Sequence, residues 1–279
     1  MTIQTLSADL SAARLAASPL SWPAGTPADL ATAYAVALAV RAQRVAAGEV
    51  PAGYKVGFTN RNIWPRYTVY APIWGTVWQS SLTFCGGANS SGSGAEVVSL
   101  QGLCEPRIEP EIVFGLRTAP PAACTLDQLA ACIDWVAHGF EIVHTHFPGW
   151  KFTAAQAVAD AGLHGRLLVG QCVKLPTGQG VAALQAQLSG LRVKLYCGGV
   201  LKEEGEGANV LDGPLQALLH FVQEIRATPG APLLSAGDVV TTGTLTDAWP
   251  VQPGESWHTE LQAQGPVAGR LEGLTLAFE

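Results

Sequence analysis

Two glutamates lead directly into what the sequence predicts to be a buried β-strand. The segment is Arg107-Ile-Glu-Pro-Glu-Ile-Val-Phe114, and its last three residues are typical of a strand inside a protein core. Because side chains alternate faces along a strand, Glu109 and Glu111 point to the same side. Two carboxylates one pleat apart repel each other, so one of them holds its proton, turns to solvent or shares a cation. A fold for this chain must therefore provide a solvated acidic face or a cation site on a core strand.

A third glutamate lies inside another apolar stretch, Gly139-Phe-Glu-Ile-Val143. An ionised carboxylate there is costly unless it is paired or coordinated. Glu141 together with Glu109 and Glu111 would give the all-oxygen shell that Mg²⁺ or Mn²⁺ prefers, with open positions for a bidentate 2-oxo acid. The alternatives are an ordinary solvated acidic face, or an ion pair of Glu141 with Arg107 or Lys151.

Composition favours an α+β fold with many short strands. The chain has 279 residues, 31 glycines and 18 prolines, and hydrophobic residues make up 48% of it. Glycine and proline at this frequency indicate frequent turns, and Ala-rich amphipathic stretches near the N-terminus add helices. The length suits one large domain with a smaller appendage.

The charge pattern narrows the set of partners. The net charge is −6 and no basic run is present, so nucleic acid is not an expected partner. No apolar run reaches the roughly 18 residues that span a bilayer, and the N-terminus does not resemble a secretory signal. The six cysteines show no CxxC pair, so neither a zinc site nor a redox pair is predicted. We therefore expect a cytoplasmic protein with a small-molecule substrate, and its low charge fraction favours a homo-oligomer.

Hydrophobic periodicity predicts the main elements. Helices are expected at 3–17, from Leu30 to Gly48, at about 60–70, from the Thr125 capping box to Asp134, and after Asp212. Strands are expected at 51–59, 73–78, 97–100, 107–116, 136–143, 166–169, 191–197, 238–242, 255–262 and 267–278. The Gly/Ser-rich stretch Cys85–Gly94 is the best linker candidate. It divides the chain into a small N-terminal α/β domain, 1–94, and a β-rich catalytic domain, 95–279.

Several motifs follow one another in an order typical of a known family. They are Gly53-Tyr-Lys-Val-Gly-Phe-Thr59, Gly75-Thr-Val77, Pro106-Arg-Ile-Glu-Pro-Glu-Ile112, Asp134-Trp-Val136 with Phe140-Glu-Ile-Val143, Val158-Ala-Asp160, and Gly237-Asp-Val-Val-Thr-Thr-Gly243. From about residue 50 onward the chain resembles the 2-keto-4-pentenoate hydratase branch of the fumarylacetoacetate hydrolase superfamily. That resemblance implies a β-rich core domain, a folded mixed β-sheet roll, with a small helical N-terminal domain.

The resemblance also implies a chemistry. It places Mg²⁺ or Mn²⁺ on Glu109, Glu111 and Glu141, where the ion binds the C1 carboxylate and C2 oxygen of the substrate. It places Lys55 near the reacting carbons, where burial would lower its pKa and make it an acid/base. Members of this branch hydrate 2-hydroxypenta-2,4-dienoate during the breakdown of aromatic compounds. Relatives decarboxylate 4-oxalocrotonate or cleave C–C bonds.

The chain departs from the family pattern at two places. Ile73 stands where the hydratases usually carry an acid, and Asp160 is followed by Ala161 rather than asparagine. His164 is the proposed substitute acid/base because its ordinary pKa lies near neutrality, although a structural role is the alternative. The candidate catalytic residues are thus Lys55, Asp160 and His164.

Four residues are candidates for substrate binding. Arg61 would bind a distal carboxylate, Trp74 would form part of an apolar wall, and Thr242 and Thr244 would supply hydroxyls. A core or surface role is the alternative for each. The preferred function is a metal-dependent hydratase or lyase, and the alternatives are a C–C bond hydrolase or decarboxylase, and a non-catalytic 2-oxo acid binding protein.

Overall fold

The computed structural model describes residues 1–86, 94–176, 178 and 180–279. Most of the predicted linker, 87–93, lies outside these residues, so its linker character stays a prediction. No helix among the described residues is both long enough and apolar enough to cross a membrane.

Strands and helices alternate irregularly along the described chain, as the α+β prediction requires. The strands are β1 (Pro51–Gly57), β2 (Ile73–Trp78), β3 (Leu82–Phe84), β4 (Glu96–Val98), β5 (Arg107–Leu116), β6 (Ile133–Val143), β7 (His164–Val169), β8 (Val173–Lys174), β9 (Arg192–Cys197), β10 (Val200–Glu206), β11 (Val239–Thr244), β12 (Trp249–Pro250), β13 (Ser256–Gln262) and β14 (Thr275–Phe278). The helices are α1 (Ile3–Ala16), α2 (Leu30–Ala46), α3 (Trp64–Tyr67), α4 (Leu126–Ala131), α5 (Ala154–Ala159), α6 (Val181–Ser189) and α7 (Pro214–Ala227).

The described strands form two mixed sheets. The larger sheet has the order β2-β1-β11-β5-β6-β7-β3, with β12 added beside β5 and β8 beside β6. The smaller sheet has the order β10-β9-β13-β14-β4. Each sheet combines parallel and antiparallel pairs, for example β1 with β11 and β5 with β6. This architecture confirms the predicted folded mixed sheet.

The two longest strands, β5 and β6, lie at the centre of the larger sheet, and both of their faces are covered. Phe114 on β5 packs in a cluster with Phe221 and Leu218 of α7, while Phe140 on β6 packs with Trp257 of the smaller sheet. All of these side chains are almost fully buried. Helix α7 begins at Pro214, directly after Gly213, since proline at the first helical position costs no hydrogen bond.

The first three strands belong to the same sheet as the later ones. β1 pairs with β11 and β3 pairs with β7, so residues 51–84 are built into the larger sheet. Helices α1 and α2 pack together, and α2 packs on α5. The division at residue 94 therefore does not separate two sheets, and the two-domain description stays a prediction.

Some predicted elements are wrong in extent. The strand expected at 267–278 contains a short 3₁₀ turn at Ala268–Arg270, and only Thr275–Phe278 is extended. Two helices, α5 and α6, and four strands, β3, β8, β10 and β12, were not predicted. In the segment expected to be a short helix at 60–70, the α-helix is confined to Trp64–Tyr67.

Candidate active site

Three carboxylates meet between the two central strands. β5 and β6 are antiparallel, and their register places Glu109 directly opposite Glu141, with Glu111 one pleat further along β5. One carboxylate oxygen from each residue lies within 4.8 Å of the others. Glu111 and Glu141 are completely buried, while Glu109 is partly exposed. The structure thus brings together the three residues that the sequence predicted as metal ligands.

Each buried carboxylate is held by one of its oxygens. Glu111 Oε2 accepts a hydrogen bond of 2.8 Å from the backbone N–H of Gly243, and Glu141 Oε1 lies 2.8 Å from His164 Nδ1. The second oxygens of the two carboxylates differ in their partners. Glu141 Oε2 lies 3.0 Å from Lys55 Nζ in an ion pair. Among the described residues, Glu111 Oε1 has no partner in hydrogen-bonding geometry.

Gly243 on β11 lies where any other residue would be strained and would collide with Thr59. Its φ is +94°, in the left-handed region, and an added Cβ would lie 1.9 Å from Thr59 Oγ1. This conformation turns its N–H toward Glu111, which explains the Thr-Thr-Gly sequence at the end of the strand.

The electrostatics of the cluster favour either retained protons or a shared cation. Burial raises the pKa of Glu109 to about 7 and raises the pKa of Glu111 well above its usual range. For Glu141, Lys55 and His164 together outweigh burial and lower the pKa. Within the cluster Lys55 is the neighbouring cation, and it compensates one of three negative charges.

The donor set fits Mg²⁺ or Mn²⁺. All three ligands are carboxylates, and among the described residues the buried Glu111 Oε1 has no hydrogen-bond donor, which is costly unless a proton or a cation meets it. Hard divalent cations prefer oxygen ligands in this arrangement. The partly exposed Glu109 leaves an open side for a ligand.

The cluster opens into a cavity of about 280 Å³. Its floor is formed by Lys55 and Glu109, and an apolar patch is formed by Ile73, Val143 and Leu163. The remaining wall is largely aromatic and cationic, and includes Phe58, Tyr67, Trp150, Phe152, Arg66 and Arg107. A cavity of this size fits a small organic acid, for which a mostly apolar wall with few polar groups is typical.

The aromatic wall is a stacked series supported by an arginine. Phe58 stacks on Tyr67 with ring centroids 4.6 Å apart, and Tyr67 stacks on Phe152 at 5.8 Å. The guanidinium of Arg107 lies 4.0 Å from the centre of the Trp150 ring. Offset aromatic stacks and cation–π contacts hold such rings in fixed orientations.

Lys55 is fixed in the middle of β1 beneath a strained turn. The residues Ala161, Gly162 and Leu163 all have positive φ, and a Cβ at Gly162 would lie 3.0 Å from Lys55 Cδ. The lysine is 3% exposed. Burial alone would lower its pKa, but the three glutamates raise it, which is opposite to the expectation that burial would make it a base.

His164 contacts the Glu141 oxygen that Lys55 does not. Its Nδ1 is 2.8 Å from Glu141 Oε1, its Nε2 is 2.8 Å from Ser81 Oγ, and the side chain is buried. It is not among the described residues that line the cavity. This position suits a residue that orients Glu141, and a direct role as acid/base stays a prediction without geometric support. No signal in the sequence pointed to Ser81.

Asp160 is also separated from the cavity wall. Its carboxylate accepts a hydrogen bond of 2.9 Å from the backbone N–H of His146 and lies 2.7 Å from His146 Nδ1. The nearest cation is Arg14, with Nη1 at 4.0 Å. A catalytic role for Asp160 likewise stays a prediction without geometric support.

The four predicted substrate-binding residues separate into two groups. Thr244 lines the cavity. Arg61 pairs with Asp212 on the surface at 2.8 Å, Trp74 is buried among aromatic residues, and the Thr242 hydroxyl donates to the Ile112 carbonyl. Arg66 and Arg107 line the cavity where Arg61 was expected, and the aromatic wall lies where Trp74 was expected. No periodicity in the sequence distinguishes these wall residues from surface residues.

Comparisons with known proteins agree with this architecture. The sequence profile of the fumarylacetoacetate (FAA) hydrolase C-terminal domain matches residues 70–272. A 2-hydroxyhexa-2,4-dienoate hydratase from Comamonas testosteroni is 28% identical over 234 residues, which are 84% of this chain and 83% of that protein. A 4-oxalocrotonate decarboxylase from Pseudomonas sp. (strain CF600) is 28% identical over 242 residues, 86% of this chain and 84% of that protein.

A solved structure shows the same fold over the whole chain. It is 4-oxalocrotonate decarboxylase from Pseudomonas putida G7, complexed with magnesium and adipate. The two chains superpose with a TM-score of 0.83 at 24% identity, covering 99% of this chain and 97% of that one.

Proposed function

The chain belongs to the fumarylacetoacetate hydrolase family, and from that premise we propose that it is a divalent-metal-dependent lyase acting on a small 2-oxo or 2-hydroxydienoic acid. Its relatives include hydratases and decarboxylases of such acids. One observation carries the proposal: three carboxylates, of which Glu111 has a buried oxygen without a partner among the described residues, meet beside a cavity of about 280 Å³ that Glu109 lines.

Glu109, Glu111 and Glu141 would hold the metal ion. When bound there, Mg²⁺ or Mn²⁺ supplies Lewis acidity toward a chelated 2-oxo acid. The protein keeps two of the carboxylates in place through Gly243 and His164. The aromatic walls exclude water from the apolar side of the substrate.

Lys55 is the proposed proton donor. The three glutamates raise its pKa, and its Nζ lies beside Glu141 at the cavity floor. A buried ammonium there stabilises negative charge that develops on the substrate and can deliver a proton to carbon.

Hydration is the preferred reaction. It adds one water across a carbon–carbon double bond, with a proton going to one carbon and the hydroxyl group to the other. Lys55 would give the proton to carbon. Asp247, which lines the exposed rim of the cavity, is the candidate to accept the proton of the attacking water.

Decarboxylation is the second candidate, and Ile73 favours it. Ile73 lines the cavity with Val143 and Leu163, so the expected acid is replaced by an apolar surface. In decarboxylation a C–C bond breaks, its electron pair enters the conjugated 2-oxo acid, CO₂ leaves and Lys55 supplies a proton to carbon. Arg66 and Arg107 on the wall would bind the second carboxylate of such a substrate.

A substrate panel tests the proposal. Purified protein with Mg²⁺ or Mn²⁺ is assayed with 2-hydroxydienoic acids and with unsaturated 2-oxo diacids. Loss of dienoate absorbance without CO₂ supports hydration, CO₂ release supports decarboxylation, and two carbon fragments indicate the hydrolase alternative. Saturable binding without turnover at either metal would contradict the enzymatic proposal and favour the binding protein.

Two further expectations stay proposals. A homo-oligomer is supported by Val200 and Leu201, which are exposed on the edge strand β10, and light scattering during gel filtration would test it. A cytoplasmic location is supported by the six cysteines, all of them free. Cell fractionation would test it.

A further inference from the structure

A second cluster of metal-binding side chains lies outside the cavity. Cys104 precedes β5, and His144 and His146 follow β6. The thiol sulfur and one ring nitrogen from each histidine lie within 4.8 Å of one another. None of the three is among the described residues that line the active-site cavity.

Backbone hydrogen bonds hold the two segments together. The N–H of Thr145 donates to the carbonyl of Cys104 at 3.1 Å, and the N–H of Cys104 donates to His144 Nδ1 at 3.2 Å. The second bond uses the lone pair of His144 Nδ1, so an ion can bind that nitrogen only by displacing the Cys104 N–H.

His146 is prepared as a metal ligand. Its Nδ1 lies 2.7 Å from Asp160 Oδ1, so the proton belongs on Nδ1 and the lone pair on Nε2. Nε2 is buried and has no hydrogen-bonding partner in the described part of the chain. A carboxylate behind one ring nitrogen, with the other nitrogen free, is the arrangement that typically supports metal-bound histidines.

We propose that Cys104, His144 and His146 form a second metal site that binds Zn²⁺, with Asp160 orienting His146. One thiolate and two imidazoles are ligands for a borderline-soft ion, in contrast to the all-oxygen set of the glutamates. Cys104 is partly exposed, which gives the ion a route in and leaves a fourth position for water. The site is independent of the proposed reaction.

The positive charge of Arg14 opposes cation binding at this second site. Its guanidinium lies 4.0 Å from Asp160 and is largely buried, so it repels a cation at this site. The Asp160 carboxylate offsets that charge, as does the Cys104 sulfur once a bound metal has displaced its proton. We therefore expect weaker binding than at a zinc site with four protein ligands.

Cobalt titration tests the proposal directly. Chelator-treated protein is first saturated with Mg²⁺ to fill the glutamate site, and Co²⁺ is then added. A thiolate ligand gives a charge-transfer absorption band in the near ultraviolet, whereas carboxylate ligands do not. We expect one equivalent of Co²⁺ to produce the band, and Zn²⁺ to abolish it by displacement.

Three variants identify the ligands. Cys104→Ser should lose the band, whereas Cys197→Ser, which changes another partly exposed free cysteine, should keep it. The double variant Glu109→Gln/Glu111→Gln should also keep it, because those residues belong to the other site. Circular dichroism checks the fold of each variant, and Cys104→Ala serves as a second replacement.

Thermal unfolding gives a second readout. Zn²⁺ should raise the Tm of the parent protein and of Cys197→Ser, but not of Cys104→Ser, because a ligand stabilises only the state that binds it. The proposal is overturned if the parent protein gives no cobalt band, if Cys104→Ser retains it, or if it disappears in the double glutamate variant.

Discussion

At the scale of single residues, the position of a side chain decides whether it can act on the substrate or only orient a metal ligand. Lys55 lies at the cavity floor, whereas His164 lies behind Glu141 and bonds to Ser81. The sequence suggested both as acid/base groups because their residue types suit that chemistry. It could not distinguish them, because the difference depends on which side of a glutamate each side chain approaches.

Lys55→Met should abolish most of the activity and also lower the stability, because it leaves the buried Glu141 carboxylate without its ion-pair partner. It removes the proton donor, and general acid catalysis contributes about 10²- to 10⁴-fold to a rate. We expect kcat to fall within that range with a smaller change in KM, measured by steady-state kinetics at saturating Mg²⁺. Lys202→Met, on the exposed strand β10, is the control and should retain full activity. A Lys55→Met variant with parental kcat would contradict the role of the lysine.

His164→Ala should lower the activity by weakening metal binding. Residues that orient metal ligands typically contribute 10- to 100-fold to metal affinity. We expect Mg²⁺ to bind that much more weakly and kcat to recover at high Mg²⁺, with Ser81→Ala showing a smaller effect of the same kind. A kcat that stays low at every Mg²⁺ concentration would instead identify His164 as an acid/base.

At the scale of elements, the local hydrophobic pattern explains which helices and strands could be predicted from the sequence. β5 and β6 follow a strong apolar run: the predicted extent of β5 agrees with the structure, while β6 begins at Ile133, where the end of a helix was predicted. α5 has the sequence Ala154-Ala-Gln-Ala-Val-Ala159 and is buried on every side, so it shows no amphipathic period. β10 is an exposed, glutamate-rich edge strand, so it has no apolar alternation to recognise.

The end of β11 is the element whose backbone shape serves the site. Gly243→Ala should destabilise the protein and weaken metal binding, because its Cβ would collide with Thr59 and shift the N–H that holds Glu111. Left-handed backbone strain alone costs roughly 1–3 kcal/mol. Denaturant unfolding and Mg²⁺ titration would measure the two effects.

Gly237 provides a matched control for that glycine. It also has a positive φ, +91°, but an added Cβ there would meet no atom within 4 Å. Gly237→Ala should therefore show the strain alone, with unchanged Mg²⁺ affinity. Equal effects of the two substitutions on metal binding would contradict the role given to the Gly243 N–H.

At the scale of the whole molecule, a buried histidine joins the two sheets. His138 on β6 donates from Nδ1 to the Glu111 carbonyl at 3.0 Å, and its Nε2 lies 2.8 Å from the Thr259 hydroxyl on β13. Burial lowers the pKa of His138 to about 4. The folded protein therefore holds this residue neutral, while the unfolded chain protonates it near pH 6.5.

This difference predicts a loss of stability in mild acid. Since the unfolded state binds more protons, stability falls as the pH drops below about 6.5 and continues to fall until about pH 4. Between pH 7 and pH 5 His138 should contribute a loss of about 2 kcal/mol. Denaturant unfolding at both pH values should show a smaller drop in His138→Asn than in the parent protein. Identical drops would contradict this account.

Prediction from the sequence succeeded for features that depend on local residue patterns and on the order of motifs along the chain. The α+β class, the family and the convergence of Glu109, Glu111 and Glu141 all followed from local pattern and motif order. The cavity wall did not, since Tyr67, Phe152 and Arg107 come from separate segments whose approach depends on tertiary packing. Arg61 illustrates the limit, because its pairing with Asp212 involves residues 151 positions apart.

The most direct test of the central claim is a Mn²⁺ titration followed by electron paramagnetic resonance, in which free Mn²⁺ gives the signal. The parent protein and Glu272→Gln, a surface control, should each bind one equivalent at the glutamate site. Glu111→Gln should lose that binding, because it removes a buried ligand charge. If Glu111→Gln binds Mn²⁺ as tightly as the parent protein, the three carboxylates do not hold the metal jointly.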